Sequence, residues 1–135
     1  MRILLLLLAM SFPLSANPLE KYLWKNRILV VLSEGKNSTL NQQLLKNREA
    51  LTDRDLIVIN LTTEKVKLVD QVRPTNEERI ALLKKFKISK AESPTFILIG
   101  KDGGEKSRQT EALDLEKIFA LIDTMPMRKA EMKEK

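Results

Sequence analysis

Ser33, Ser38 and Thr39 stand with Lys36 in the stretch Ser33-Glu34-Gly35-Lys36-Asn37-Ser38-Thr39, between an apolar run and a helical pattern. Hydroxyls beside a lysine near a helix start are the parts of a serine–lysine nucleophile. Such a lysine acts as a base only when burial lowers its pKa, and a polar loop containing glycine leaves it in water. An unorthodox non-thiol enzyme is therefore the alternative reading, not the leading one. Asp53 with Asp55 and Glu77 with Glu78 are close carboxylate pairs of the kind that serve calcium or acid–base chemistry. Neither has the density of oxygen ligands a calcium loop supplies, and Glu77-Glu78 suits the positive first turn of a helix. No metal site is expected. Lys106 and Arg108, two apart on a predicted strand, should share one face, where a basic pair could hold a carboxylate or another anion. The same charges suit a sheet edge, where they discourage pairing with other chains. Of the methionines, Met125 continues an apolar stripe and reads as core, while Met127 is open as a soft contact for a partner.

Absences narrow the chemistry further. The sequence has no cysteine and no histidine. Thiol oxidoreductase activity is excluded, and with histidine go the commonest metal ligand and the only side chain that titrates near neutrality unperturbed. Trp24 and Tyr22 are too few to form a base-stacking platform, so nucleic acid is not an expected partner. No cofactor is expected.

The chain has 135 residues, 43% of them hydrophobic and 31% charged, as in a folded globular domain. Met1-Arg2, the apolar run Ile3 to Met10 and Leu14-Ser15-Ala16 have the proportions of a secretory leader, so residues 1–16 are expected to be removed. The mature chain is then expected in the periplasm or outside the cell, with no stable membrane anchor and, lacking cysteine, no lipid anchor. The formal charge of +6 falls to +5 when Arg2 leaves with the leader. That excess attracts polyanions, which makes a matrix-surface binder a further alternative. The acids interspersed among the lysines and arginines favour an ordinary mixed surface.

Positioning elements follow from periodicity. Pro18, Leu19, Tyr22 and Leu23 read as a short first helix, with Trp24 packing beneath it. Ile28 to Leu32 is a strand buried on both faces. Thr39 and Gln42 have capping-box spacing ahead of a helix carrying Leu40, Leu44 and Leu51, and Leu56 to Ile59 is a second buried strand, which completes a right-handed βαβ unit. Thr62 to Val72 reads as a loop or short edge segment. Thr75 with Glu78 caps a second helix bearing Ile80, Leu83 and Phe86. Thr95 to Ile99 is the third strand, Lys101-Asp102-Gly103-Gly104 a hairpin turn, and Glu105 to Gln109 a polar edge strand. Asp114 caps a last helix with Leu115, Ile118, Phe119, Ile122 and Met125 inward, ended by Pro126. Residues 17–127 form one domain, and 128–135 are expected to be a charged flexible tail.

The order βαβ, α, ββ, α resembles that of thioredoxins, and Leu83-Lys84-Lys85-Phe86-Lys87-Ile88 followed by Ser93-Pro94-Thr95-Phe96 resembles their helix, loop and cis-proline strand. The resemblance implies a mixed four-stranded sheet with helices on both faces, a cis Ser93-Pro94 bond, and hydroxyls where thioredoxins carry their paired cysteines. Trp24-Lys25-Asn26-Arg27, Arg54-Asp55-Leu56, Gly100-Lys101-Asp102-Gly103-Gly104 with Lys106 and Arg108, and Ile122-Asp123 with Met125-Pro126-Met127-Arg128 resemble a family of small secreted domains of unknown function. That family is similar in fold to peroxiredoxins and thioredoxins, with related copies in vertebrate extracellular-matrix proteins that carry sushi repeats. It supplies no catalytic set. In a thioredoxin-like fold the hairpin adjoins the end of the last helix, which makes Lys101, Asp102, Lys106, Arg108, Asp123 and Arg128 the candidate binding residues. The leading reading is a redox-inactive, exported interaction module for a protein or glycan partner in the envelope.

Overall fold

In the computed structural model, residues 17–34, 38–62, 68, 70–89 and 94–134 are described. The expected leader, residues 1–16, lies outside the described residues, as does Lys36. β1 (Arg27–Leu32) is buried at every position, as an unbroken aliphatic run requires when both faces are covered. It pairs in parallel with β2 (Leu56–Asn60) and antiparallel with β4 (Thr95–Ile99), so that Leu29 lies between Val58 and Leu98. β3 (Gln71–Val72) adds in parallel to β2, and β5 (Glu105–Thr110) antiparallel to β4, giving the order β3-β2-β1-β4-β5.

The mixed sheet therefore has five strands, one more than the four expected. The extra strand falls in the weakly patterned stretch before Thr75 and is only two residues long. The Asn60 amide holds it by donating to Gln71 Oε1 at 2.7 Å, a side-chain tie that no hydrophobic period reveals.

Alternation along the strands builds two cores. Leu29, Val31, Val58 and Leu98 face Leu44, Leu51, Ile118 and Ile122, whereas Ile28, Val30, Ile97 and Ile99 face Leu19, Leu82, Phe86 and Ile88. Helices thus cover both faces: α1 (Ser38–Lys46), α2 (Arg48–Asp53), α3 (Asn76–Lys85), α4 (Leu115–Asp123) and α5 (Pro126–Lys133).

Capping went as expected at two helices and not at a third. Thr75 Oγ1 accepts from Glu78 N–H at 3.2 Å while Glu78 accepts from Thr75 N–H at 3.0 Å, and Asp114 accepts from Lys117 N–H at 3.1 Å. Thr39 lies inside α1, which starts at Ser38, so it does not form the expected box with Gln42. On α3 it is Arg79 and Leu82 that are buried, and Ile80 is exposed.

Pro126 does not end the structure. Its fixed φ suits the first residue of a helix, and α5 folds where a frayed tail was expected. α5 is poor in apolar residues, so its docking depends on charge. Trp24 does not pack beneath the first turn (Glu20–Tyr22, 3₁₀) either, since its side chain is exposed.

Candidate functional site

Topology gathers the charged termini of several elements at one end of the sheet. Arg27 opens β1, Arg54 and Asp55 precede β2, Lys101 follows β4, Asp123 ends α4, and Arg128 and Glu131 lie on α5. Antiparallel pairing of Ile28 with Ile99 and parallel pairing of Arg27 with Leu56 bring these positions together.

Arg27 is 1% exposed and must find an anion, because an unpaired buried charge is costly. It donates through both terminal nitrogens to Glu131, at 3.1 and 3.2 Å, and from Nη1 to the Arg54 carbonyl at 2.9 Å. Lys101 Nζ bonds Glu131 at 2.6 Å and Asp55 at 2.9 Å. Arg128, also buried, bonds Asp53 Oδ2 at 2.6 Å, the Asp53 carbonyl at 2.8 Å and Asp123 Oδ1 at 3.0 Å. Arg54 completes the set with a two-point contact to Asp123 at 3.2 and 2.9 Å and lies over the Phe119 ring at 4.4 Å.

Arg27, Arg54, Lys101 and Arg128 are thus balanced by Asp53, Asp55, Asp123 and Glu131. Burial raises the Glu131 carboxyl, but bonds from Arg27 and Lys101 together outweigh it and hold the group below its ordinary pKa. Asp123 behaves likewise: burial raises it, and Arg54 and Arg128 bring it below the usual value. Both stay ionised at neutral pH. Such groups clamp; they do not exchange protons in turnover.

Above the clamp lies an open recess of about 190 Å³, lined by Trp24, Gly100, Lys101, Asp102, Lys106, Met125, Pro126 and Met127, with Arg27 at its base. A Cβ at Gly100 would come within 2.6 Å of Cε of Lys106, so that flexible side chain lies directly over the Gly100 backbone. Gly103 has φ +84°, the left-handed geometry its turn requires. Lys106 Nζ bonds Asp102 at 2.8 Å; that bond, followed by the Gly104 amide, draws the Asp102 carboxyl below its ordinary pKa.

Of the expected binding residues, Lys101, Asp102, Lys106, Asp123 and Arg128 converge on this end of the sheet, and Arg108 does not. Pairing steps from Leu98 with Ser107 to Ile99 with Glu105, which leaves Lys106 as the extra residue of a bulge. Side-chain alternation breaks there. Lys106 turns to the α5 side, while Arg108 pairs with Glu105 and donates to the Phe86 carbonyl on the opposite face. The expected basic pair on one face is not formed.

Sequence reasoning missed Arg27, Arg54 and Glu131 as site residues, and it weighed Asp53 and Asp55 only for calcium or acid–base chemistry. A signal was present in Arg27: a charge joined directly to an aliphatic strand demands a buried partner. Nothing local pointed to Glu131, which is distant in sequence.

The segment carrying the hydroxyls is at the other end of β1, about 20 Å away at roughly 3.3 Å per residue. Ser33 is buried, its backbone N–H donating to Thr62 Oγ1 at 3.1 Å, and Ser38 and Thr39 are exposed. Pro94 precedes Thr95, the partner of Leu32, so it sits beside this segment. The isomer of the Ser93-Pro94 bond lies outside the described residues. Nearby, Arg79 donates from Nε to the Leu61 carbonyl at 2.6 Å, and its Nη2 is buried without a partner among the described residues.

The model of a domain of unknown function, DUF4174, matches residues 18–131. The chain belongs to this family. The match spans every element above, α5 nearly to its end. No curated protein matches by sequence. In solved structures this DUF4174 domain is similar to Plasmodium yoelii thioredoxin peroxidase I, with a TM-score of 0.61 at 12% identity over 83% of the chain and 79% of that protein. It is similar to the reduced 2-Cys peroxiredoxin of Plasmodium vivax, with a TM-score of 0.59 at 12% identity over 82% and 83%. An exposed lipoprotein thioredoxin of Streptococcus pneumoniae gives a TM-score of 0.50 at 11% identity over 79% and 90%. These likenesses establish a thioredoxin-like fold. No helix among the described residues is long and apolar enough to cross a membrane.

Proposed function

We propose that this DUF4174 domain is an exported, redox-inactive binding module that acts in the periplasm or outside the cell. The observation that carries the reading is a thioredoxin-like sheet with both faces packed in a chain without cysteine. Two of the similar structures are named for peroxidase chemistry, which needs a thiol this chain does not possess. The hydroxyls near Ser33 offer no substitute redox couple. What the chain maintains instead is the charged clamp and the recess above it, and charge-bonded walls suit recognition. The apolar start of the sequence supports export.

Affinity capture from envelope extract with the mature protein tests the reading. A specific protein or glycan partner is expected. Recovery of none, or disulfide exchange by the purified protein alone, would overturn it. N-terminal sequencing of the exported protein should begin at Asn17, and retention of residues 1–16 in the cytoplasm would remove the export claim.

A further inference from the structure

Four cations are buried among the described residues: Arg27, Lys101, Arg128 and Arg79. The first three belong to the clamp, each bonded to a carboxylate at 3.1 Å or closer. Arg79 stands at the other end of the sheet, 8% exposed, and forms no ion pair among the described residues. Its side chain makes one hydrogen bond there, from Nε to the neutral Leu61 carbonyl at 2.6 Å. Nη2 is buried with no acceptor, and Nη1 makes no hydrogen bond among these residues either. Neither Glu34, which follows Ser33, nor Glu78, its neighbour on α3, pairs with it; Glu78 accepts from Thr75 N–H at 3.0 Å instead.

Local bonding explains how the guanidinium comes to be left over. Leu61 N–H donates to the Val31 carbonyl at 2.7 Å, which continues the parallel β1–β2 ladder past Asn60. Ser33 N–H, next in that ladder, turns to Thr62 Oγ1 at 3.1 Å, and Thr62 Oγ1 donates to the Ser33 carbonyl at 3.1 Å. Thr62 N–H in turn donates to Asn60 Oδ1 at 2.9 Å. The neutral groups satisfy one another, and the Leu61 carbonyl falls to Arg79. Its guanidinium is thus held at the carboxyl ends of two adjacent parallel strands, the edge of an open α/β sheet where ligands bind.

Charge and shape select the ligand. A buried cation without an anion is costly, and one bond to a neutral carbonyl does not offset it. One guanidinium with no carboxylate paired to it is balanced by one negative charge. Its terminal edge is a planar fork whose two donors match the two oxygens of a carboxylate, whereas a phosphate dianion would leave a charge over. Arg27 shows the same chemistry at the clamp, where both terminal nitrogens hold Glu131 at 3.1 and 3.2 Å.

We propose that Arg79 anchors a second site, which binds a carboxylate through the terminal edge of its guanidinium at the carboxyl ends of β1 and β2. The site is separate from the clamp and its recess and does not depend on the binding-module reading. Nη2 is covered, so the carboxylate enters only by displacing what covers it, and a minimal ligand binds weakly. The carboxylate belongs to a small free acid or to an acidic side chain. Acetate and N-acetyl-aspartyl amide, whose side-chain carboxylate is free, distinguish the two.

Titration of the mature protein with sodium acetate, near neutral pH in Tris chloride at constant ionic strength, tests the site. Proton–nitrogen correlation spectra should show saturable shifts of the Arg79 Nε–H and of the Ser33 and Thr62 amides in the millimolar range. Acetamide, of the same shape without the charge, should bind about tenfold more weakly, because charge-assisted bonds are roughly twice as strong as neutral ones. Acetate should also raise the urea midpoint, by roughly 0.5–1 M at about ten times its dissociation constant. Arg79→Met should lose both responses while matching or exceeding wild type in stability without acetate. Arg79→Lys, which keeps the charge but not the fork, should lose most of the affinity. A stronger response to N-acetyl-aspartyl amide assigns the carboxylate to an acidic side chain, a stronger response to acetate assigns it to a small acid, and either supports the site. No saturable shift overturns the proposal. Equal shifts with added sodium chloride, or an unchanged response in Arg79→Met, show an adventitious ion only and overturn it too. So does an Arg79→Met protein clearly less stable than wild type in acetate-free buffer, since the guanidinium would then have its anion within the chain.

Discussion

Removing Glu131 should destabilise the protein far more than its place near the C-terminus suggests. In Glu131→Ala, Arg27 loses its bonds of 3.1 and 3.2 Å and keeps only the Arg54 carbonyl, whereas Lys101 keeps Asp55 at 2.9 Å. One cation, 1% exposed, is left with no carboxylate. Breaking a buried pair in this way costs about 3–5 kcal/mol, against about 0–1 for a surface pair. Glu131 is 22% exposed, so water offsets part of the loss and about 3 kcal/mol is expected. Asp55→Asn is the internal control: it keeps a residue suited to the left-handed backbone at φ +49°, Asp55 is 49% exposed and Lys101 retains Glu131, so about 1 kcal/mol or less should be lost. Equilibrium urea unfolding followed by far-ultraviolet circular dichroism measures both. Arg27→Met combined with Glu131→Leu should recover at least half the loss, because an apolar pair leaves no buried charge. A loss below about 1 kcal/mol in Glu131→Ala, or no difference from Asp55→Asn, would refute the clamp as a buried structure.

Acid should weaken the same network. Glu131 and Asp123 have folded pKa values below their unfolded ones, so their contribution is complete above about pH 4.3 and 3.9 and is lost as pH falls through the folded values. Glu131→Gln should flatten this acid limb in pH-dependent unfolding, and an unchanged limb would show that other groups carry it. Arg79→Met should leave stability unchanged or raise it by up to about 2 kcal/mol, since it removes a buried guanidinium nitrogen without a partner among the described residues. A loss above about 1 kcal/mol in the same urea assay would show that the group is satisfied. Asp114→Ala should cost about 1 kcal/mol by removing the cap of α4, and no loss in that assay would mean that the bond to Lys117 N–H is not formed in solution. Ile122→Ala should cost about 2–5 kcal/mol, its side chain being fully buried, and a smaller loss by urea unfolding would place it outside the core.

What the sequence made legible was whatever a short window could hold. Ile28 to Leu32, Leu56 to Ile59 and Phe96 to Ile99 announce buried strands because each is apolar without interruption, Thr75 with Glu78 announces a helix start because the partners lie three residues apart, and Asp114 announces another because it stands directly before an apolar helical period. The clamp obeys no such rule. Arg27 finds Glu131 across 104 residues, and Arg128 finds Asp53 across 75, so neither partner can be named until the fold is closed. The same gap explains α5. Judged by periodicity, Pro126 to Lys133 has too few apolar residues to dock, and a flexible tail is the correct local inference. It fails because Arg128 and Glu131 dock the helix through charge, answering a demand that Arg27 places at the far end of the chain. A buried arginine abutting an aliphatic strand is thus a long-range constraint written in one residue. When such a residue has no local acid, the carboxylates of weakly apolar segments elsewhere are where its partner should be sought.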